Sequence, residues 1–350
     1  MAVAFFDNFD ELRRRMPEPD SAPYWRTIDW FSRLHAEGMP SETPLLLGVS
    51  ATPDGAALCL PLIERPSFIS SLSNYYTPLW APLTWQEDRL DVMAHAEMLG
   101  RALRARSTRP ACVHLHPLAT GPMLDALRRG LKSAGYLCDE HFAFGNWYLP
   151  TAHREFAEHY GGRPSRLRNT IARARRRLDK AGAWNIRIHR ESGADMTAAI
   201  DAFETIYRHS WKPTETYPAF VRSLCQWAVE RGMLRLGVLS LNARPIASQI
   251  WLFDKGSASI FKLAYEPDAA RFSPGSVLTA ALMEYSIDRD HAGEIDYLSG
   301  DDDYKRDWMT HRRTRVGLIA FDPRSPRGLL AAMRHFGGRI VRPARTVGAT

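Results

Sequence analysis

Cysteine, lysine and long apolar runs are scarce in this sequence, and each shortage closes off a class of protein. The four cysteines, Cys59, Cys112, Cys138 and Cys225, lie far apart with no CxxC pair. Neither a disulfide framework nor a cysteine-based zinc site is therefore expected, and a reducing cytoplasm is the expected compartment. No apolar stretch approaches the roughly 20 residues that span a bilayer. The start, "MAVAFFDNFDELRRR", interrupts its apolar residues with acids and is expected to be neither a signal nor a transit peptide. HExxH, Walker and Ser-His-Asp signatures are missing as well. Lysine occupies only six positions (132, 180, 212, 255, 262 and 305) among 46 basic residues. Codon usage is the first explanation, and it makes each surviving lysine a faint hint of need.

What is present is enough for two ordinary domains: 350 residues, 45% of them hydrophobic and 24% charged. The net charge of +7 is concentrated in "RPSRLRNTIARARRRLDK", Arg163 to Lys180, and in the region from Arg312 onward. Such patches attract phosphate on nucleic acid, on a cofactor or on a lipid surface, so peripheral membrane contact through them is one reading. In the first patch Leu167, Ile171, Ala174 and Leu178 form one apolar stripe and arginines cover the rest. This describes a packed helix with a solvated face, or an electrostatic rail for an anionic partner such as tRNA. The aromatic interleaving that single-stranded nucleic acid favours is absent, which disfavours nucleic acid as the partner.

Periodicity predicts a helix over 24–38, then strands in "TPLLLGVSA", "AALCLPLIE" and "FISSLSNYY". A helix over 86–106, a strand "ACVHLHPL", a helix over 121–135 and a strand "YLCDEHFAFGNWYL" follow. The second half repeats the order: the basic helix 164–180, a strand "WNIRIHRE", and helices near 195–210 and 219–231. Next come three strands joined by the turns "NARP" and "DKG", a helix over 274–290 and the strand "EIDYL". A short helix, the strand "TRVGLIAFD" and a terminal helix near 327–336 close the chain. The expected division is 1–150, 151–340 and a basic tail 341–350. The halves share element order and no alignable words, so an internal duplication is expected from order alone. His114 and His116 share one face of a strand, a spacing that suits a metal, but no third ligand is visible, and a packed pair is the other reading.

The stretch "LSGDDDYKRDW", Leu298 to Trp308, fits neither a strand nor an ordinary helix. With the run "RPIASQIWLFDKGSASIFKLAYEPDAARFSPGSVLTAALMEYSIDRDHAGEIDYL" before it, it resembles the acyltransferase domain of the CelD-like proteins, relatives of the FemAB group in the GNAT superfamily. The marks are Ala247, Gln249, Tyr265, "SPG" at Ser273–Gly275, Asp296, Gly300, "YK" with Trp308, and "HSWKP" at His209–Pro213. The clear match runs from about Tyr160 to Phe321. The first half fits a degenerate partner domain by element order alone. The resemblance implies an α/β fold of tandem GNAT-like domains, each with a central, mostly antiparallel sheet flanked by helices. It further implies two splayed strands and transfer of an acyl group from acyl-CoA, acetyl-CoA or longer, to an amine or hydroxyl. Some relatives use aminoacyl-tRNA instead. Relatives act in envelope and exopolysaccharide pathways, so the implied acceptor is a small molecule, sugar or peptide; no metal is implied.

In such a fold the splayed strands would be "SIFKLAYE" and "EIDYL", with the pantetheine arm between them. A backbone N–H near Leu263 or Ala264 would polarise the carbonyl, with Tyr265 beside them. The helix starting at Pro274 would turn its N-terminus to the pyrophosphate through Ser273, Gly275, Ser276 and Val277, helped by Arg271. That loop has one glycine where the superfamily has more, and a helix capped by Ser273 with Pro274 at its first position is the plainer reading. A non-catalytic, GNAT-like binding protein would also carry such a loop. Asp296, inside an apolar strand, is either a base with a pKa raised by desolvation or a carboxylate that binds loop amides. Tyr304 is expected to protonate the departing thiolate, or else to pack under its helix. Lys305 would hold a substrate anion or bridge to Asp301. One of Asp301 to Asp303 is expected to cap the short helix, and Trp308 to pack beneath it. Trp211 and Lys212, with Gln249, are placed in the acceptor pocket, although a helix-end tryptophan also packs.

Overall fold

Two-residue turns set the pairing of the best-defined strands. Asn242 and Ala243 (φ 51° and 62°) and then Lys255 and Gly256 (φ 48° and 75°) occupy the left-handed region. Their twist matches that of the strands they join. The structure is a computed structural model and describes residues 1–19, 22–108, 110–152 and 154–341. The basic tail expected at 341–350 lies outside these residues apart from its first position. No helix among them is long and apolar enough to cross a membrane.

In chain order the elements are β1 (Ala2–Phe6), α1 (Phe9–Arg15), α2 (Ile28–Glu37), β2 (Leu45–Ala51), β3 (Ala57–Arg65), β4 (Phe68–Ser71), β5 (Leu83–Trp85), α3 (Val92–Ala105), β6 (Cys112–Ala119), α4 (Pro122–Ser133) and β7 (Leu137–Pro150). They continue with α5 (Phe156–Gly161), α6 (Ser165–Ala181), β8 (Trp184–His189), α7 (Ala194–His209), α8 (Pro218–Glu230), β9 (Leu234–Leu241), β10 (Arg244–Asp254) and β11 (Ser257–Tyr265). The last are α9 (Pro274–Asp288), β12 (Glu294–Asp296), α10 (Asp303–Trp308), β13 (His311–Phe321) and α11 (Pro326–Val341). The mixed α/β expectation is met. The sequence patterns passed over β1, α1, β5 and α5, which are short and carry few periods to read.

By internal contacts the chain divides into residues 1–143 with 314–350, and residues 144–313. The final strand and helix therefore group with the first unit, where the sequence reading had put them in the second half. Pairing explains it: Arg315–Phe321 of β13 runs antiparallel to Ala119–Cys112 of β6. Phe336 and Ala332 of α11 then pack on Cys112 and Phe321.

In the first unit β1, β2, β3 and β4 are successively antiparallel, and β4 then pairs parallel with β6. The parallel register covers only Phe68↔Cys112, Ile69↔Val113 and Ser70↔His114. Helices α3 and α4 meet at glycines: a Cβ on Gly130 would lie 2.5 Å from the Ala96 carbonyl, and one on Gly100 would lie 2.6 Å from the Gly130 carbonyl oxygen.

The second unit repeats the plan. β8, β9, β10 and β11 are antiparallel neighbours, β11 pairs parallel with β12, and β12 runs antiparallel to Tyr148–Pro150 of β7. Here too the parallel register is three residues long, Ser257↔Glu294 to Ser259↔Asp296. Helix α9 is apolar nearly all round, with Val277, Leu278, Ala280, Leu282, Met283 and Ile287 buried, as befits a helix inside a core. Leu167, Ile171, Ala174 and Leu178 of α6 are buried in that same core, so the stripe read from the sequence is a packed face.

Candidate active site

Past Ser259 and Asp296 the parallel strands of the second unit part. β11 keeps its pairs to β10, Gln249↔Leu263 and Ser248↔Ala264, while its other edge faces the gap. A pocket of about 480 Å³ opens there. Its walls are Leu263 and Tyr265 of β11, the start of α9 at Ser273, Gly275, Ser276 and Thr279, and the segment after β12 at Tyr297, Asp302, Tyr304 and Trp308. Trp211, Lys212, Gln249 and Ala270 complete it. Trp211 lies against Tyr265 with ring centroids 4.3 Å apart.

Several expected site residues stand behind these walls. Ala264, Pro274 and Val277 are buried, and none lines the pocket. Arg271 is not among the lining residues either. Its guanidinium stacks 4.8 Å from the Phe272 ring, and its carbonyl accepts from Arg177 Nη1 at 2.8 Å. Gln249 is committed internally: Nε2 donates to the Gly275 carbonyl (3.0 Å) and to Thr279 Oγ1 (2.9 Å), and Oε1 accepts from Trp251 Nε1 (2.9 Å). It ties the middle of β10 to the first turn of α9.

That first turn offers little to an anion. Pro274 has no N–H, and the Ser276 and Val277 amides both donate to the Ser273 carbonyl, at 3.1 and 3.2 Å. Ser273 holds the N-cap position, but in the left-handed conformation (φ 44°, ψ 47°) and with no side-chain cap bond. Its side chain does not serve as the expected cap. Gly275 remains as the first-turn amide without such an acceptor among the described residues, and a side chain there would meet only the Tyr265 ring, at 3.4 Å.

Asp296 is buried at 7% exposure and is not a lining residue. One oxygen accepts from Asn146 Nδ2 (2.6 Å) and from the Leu298 amide (2.7 Å), and the other pairs with Arg313. This is the geometry of a carboxylate that organises a loop. Asp301 also lies outside the pocket, held by Arg312 and by Trp147 Nε1 at 2.8 Å; the Arg312 hydrogen bond lowers its pKa. Lys305 does not bridge to Asp301. Its ammonium is buried, donates to the Ser299 carbonyl and meets Asp302 at 3.2 Å. Asp302 stands at the N-cap of α10 without a side-chain cap bond, because its carboxylate turns to Lys305.

Tyr304 does reach the pocket, edge-on to Tyr297 with centroids 5.7 Å apart. The residue is 46% exposed, yet desolvation and then the Asp302 charge push its pKa up to about 12. Tyr297 is buried, which raises its hydroxyl pKa well above the usual value. Tyr297 and Thr279 are pocket residues that sequence reasoning did not single out, and Asp302 was read there only as one of three candidate helix caps. Their only signals were position: one residue past β12, four residues past Gly275 on α9, and two before Tyr304. Trp308 is buried as expected and also lines the pocket.

The histidine pair of the first unit gains a neighbour. His114 Nε2 lies 2.9 Å from His141 Nε2, and the His116 ring stacks on His114 at 4.4 Å. No cluster suited to a metal is found among the described residues.

A meander, a helix whose N-terminus meets a splayed strand pair, and a pocket in the splay together decide the fold. It is GNAT-like. Residues 165–306 match the family described as acetyltransferase (GNAT) domain. No curated protein matches the chain. Among solved structures, FemX is similar with 13% identity and a TM-score of 0.55, covering 91% of this chain and 97% of its own. The structure of L-PGS from Bacillus licheniformis gives 10% identity and 0.54, covering 95% and 96%. The C-terminal domain (DUF2156) of a protein described as a lysylphosphatidylglycerol synthetase, from Agrobacterium fabrum, gives 13% and 0.53, covering 83% and 88%. At such identities these likenesses concern the fold. The GNAT domain supports a transferase.

Proposed function

We propose that the second unit transfers an acyl group from an acyl-CoA thioester to an amine or hydroxyl. The observation that carries this reading is the pocket between β11 and β12, which combines an open strand edge for the pantetheine amides with Tyr304 at its wall. The acceptor's nucleophile attacks the thioester carbonyl, a backbone N–H of β11 near Leu263 or Ala264 steadies the oxyanion, and Tyr304 returns a proton to the departing thiolate. With its pKa near 12, Tyr304 stays protonated throughout the physiological range. Asp296 acts through the loop that it organises and not as the base. Calorimetric titration with acetyl-CoA and longer acyl-CoAs tests the reading. Binding to the wild type, lost in Gly275→Trp, is the expected result; no binding to any thioester would remove the donor.

A second reading keeps the fold and takes the acyl group from aminoacyl-tRNA. It is favoured by the sparse donors at the start of α9 and by the exposed arginines of α6 beside it. Charged tRNA would then bind with a steep salt dependence that weakens when Arg173, Arg175, Arg176 and Arg177 are replaced together. An acceptor from envelope or exopolysaccharide synthesis and a cytoplasmic location belong with either reading.

A further inference from the structure

Half of the lysines in this arginine-rich chain gather around the pocket: Lys212, Lys262 and Lys305. Two of them are ion-paired, Lys262 with Glu215 and Lys305 with Asp302, and keep their charge. Lys212 lines the pocket itself and has no carboxylate partner among the described residues; its ammonium lies 5.8 Å from the Trp211 ring and 5.9 Å from the Tyr207 ring. We propose that Lys212 Nζ is the proton acceptor for the attacking amine. The assignment rests on the acyl-transfer reading above and fills the role left open by Asp296.

The chemistry explains why lysine stands here in a chain that uses arginine almost everywhere else. A guanidinium holds its proton at any accessible pH, whereas an amine can be made to release it. The groups around Lys212 do that. Glu215 follows on the same loop, Tyr207 comes from α7, Tyr265 and Lys262 from β11, and Asp302, Tyr304 and Lys305 from the α10 side. Desolvation first, then the Lys262 and Lys305 charges, outweigh Asp302 and Glu215 and bring Lys212 down to about 8. In the step itself, neutral Nζ takes a proton from the acceptor's ammonium and the freed amine attacks. The C–N bond forms and the C–S bond breaks; the thiolate takes the Tyr304 proton, the tyrosinate takes the second proton of the attacking nitrogen, and Lys212 Nζ releases its own proton to solvent. Activity should therefore rise as pH increases through about 8, because Lys212 becomes competent on losing its proton. Tyr304 imposes no falling limb until about 12.

Competitive labelling of the whole protein with acetic anhydride, read per lysine by mass spectrometry across pH, tests the assignment without needing the natural acceptor. The expected midpoint for Lys212 is about 8, moved upward in Lys262→Met because a repelling charge is gone. A midpoint at the ordinary value of about 10.4 would overturn the proposal and leave the transferase reading standing. Transfer from acetyl-CoA to ethanolamine and to hydroxylamine supplies the second readout. Lys212→Arg keeps the charge but not the base, so ethanolamine transfer should fall roughly 100-fold. Transfer to hydroxylamine, already unprotonated at neutral pH, should fall far less. Full activity in Lys212→Arg would instead mark a charge that only binds substrate, and would sink the proposal. If the wild type transfers to neither amine while Lys212 still titrates near 8, it is the transferase reading that fails.

Discussion

The two units share one sheet plan, and each has a parallel strand pair that holds together for three residues before parting. What fills the parting differs. In the first unit Ser71 Oγ donates to the His116 carbonyl (2.6 Å) and accepts from the His116 amide (3.1 Å), and Ser73 Oγ reaches the same carbonyl (2.8 Å). Trp80 crosses the remaining space: its amide donates to the Pro117 carbonyl of β6 and its indole to the Pro61 carbonyl on β3. In the second unit the corresponding space holds no such staple among the described residues and is the pocket. A shared backbone plan thus does not make a site. Whether the splay becomes a core or a binding cleft depends on a few side chains, and a fully buried tryptophan separates the two outcomes.

Breaking the closed side should give the largest effect. Trp80→Ala removes a side chain with no exposed surface and should cost about 3–5 kcal/mol, read by denaturant unfolding. A cost under 1 kcal/mol would mean the ring is no plug. On the open side, Tyr304→Phe should lower turnover roughly 100-fold while leaving the unfolding midpoint almost unmoved. Normal turnover would reject its role as acid. Asp296→Asn should cost about 2 kcal/mol, less than a fully buried pair because Glu294 still meets Arg313 at 2.9 Å. If the variant instead kept its stability and lost all activity, Asp296 would be restored as the base. Ser71→Ala should cost about 1 kcal/mol, since the His116 carbonyl is left with Ser73 alone and the His116 amide loses the Ser71 acceptor; no change in melting would show the staple to be idle.

Periodicity was enough for the long strands and for α3, α6, α7 and α9, which carry several repeats of burial, and the resemblance supplied the plan that joins them. The resemblance was enough for part of the site. Trp211, Lys212, Leu263, Tyr265, Ser273, Gly275, Ser276 and Tyr304 do converge on the pocket, because strand order fixes where β11, α9 and α10 must meet. The roles of Asp296, Asp301 and Lys305 were not legible. Their partners, Asn146, Arg313, Arg312 and Asp302, are a matter of rotamer and loop path, and three adjacent aspartates look alike until one sees which cation each one faces. The grouping of 314–350 was hidden for a related reason: a strand's pattern records that it is buried, not which neighbour buries it.

The strand that flanks β12 comes from the very start of the second unit, at Phe144–Pro150, ahead of all its helices. A fragment begun at Thr151 would therefore lose the neighbour of Glu294–Asp296 and the Asn146 amide that Asp296 accepts from. It would expose an edge ready to pair with other chains. Anyone wishing to produce the second unit alone, or to fuse it to a reporter, should place the junction before Phe144, however natural the break near 150 looks.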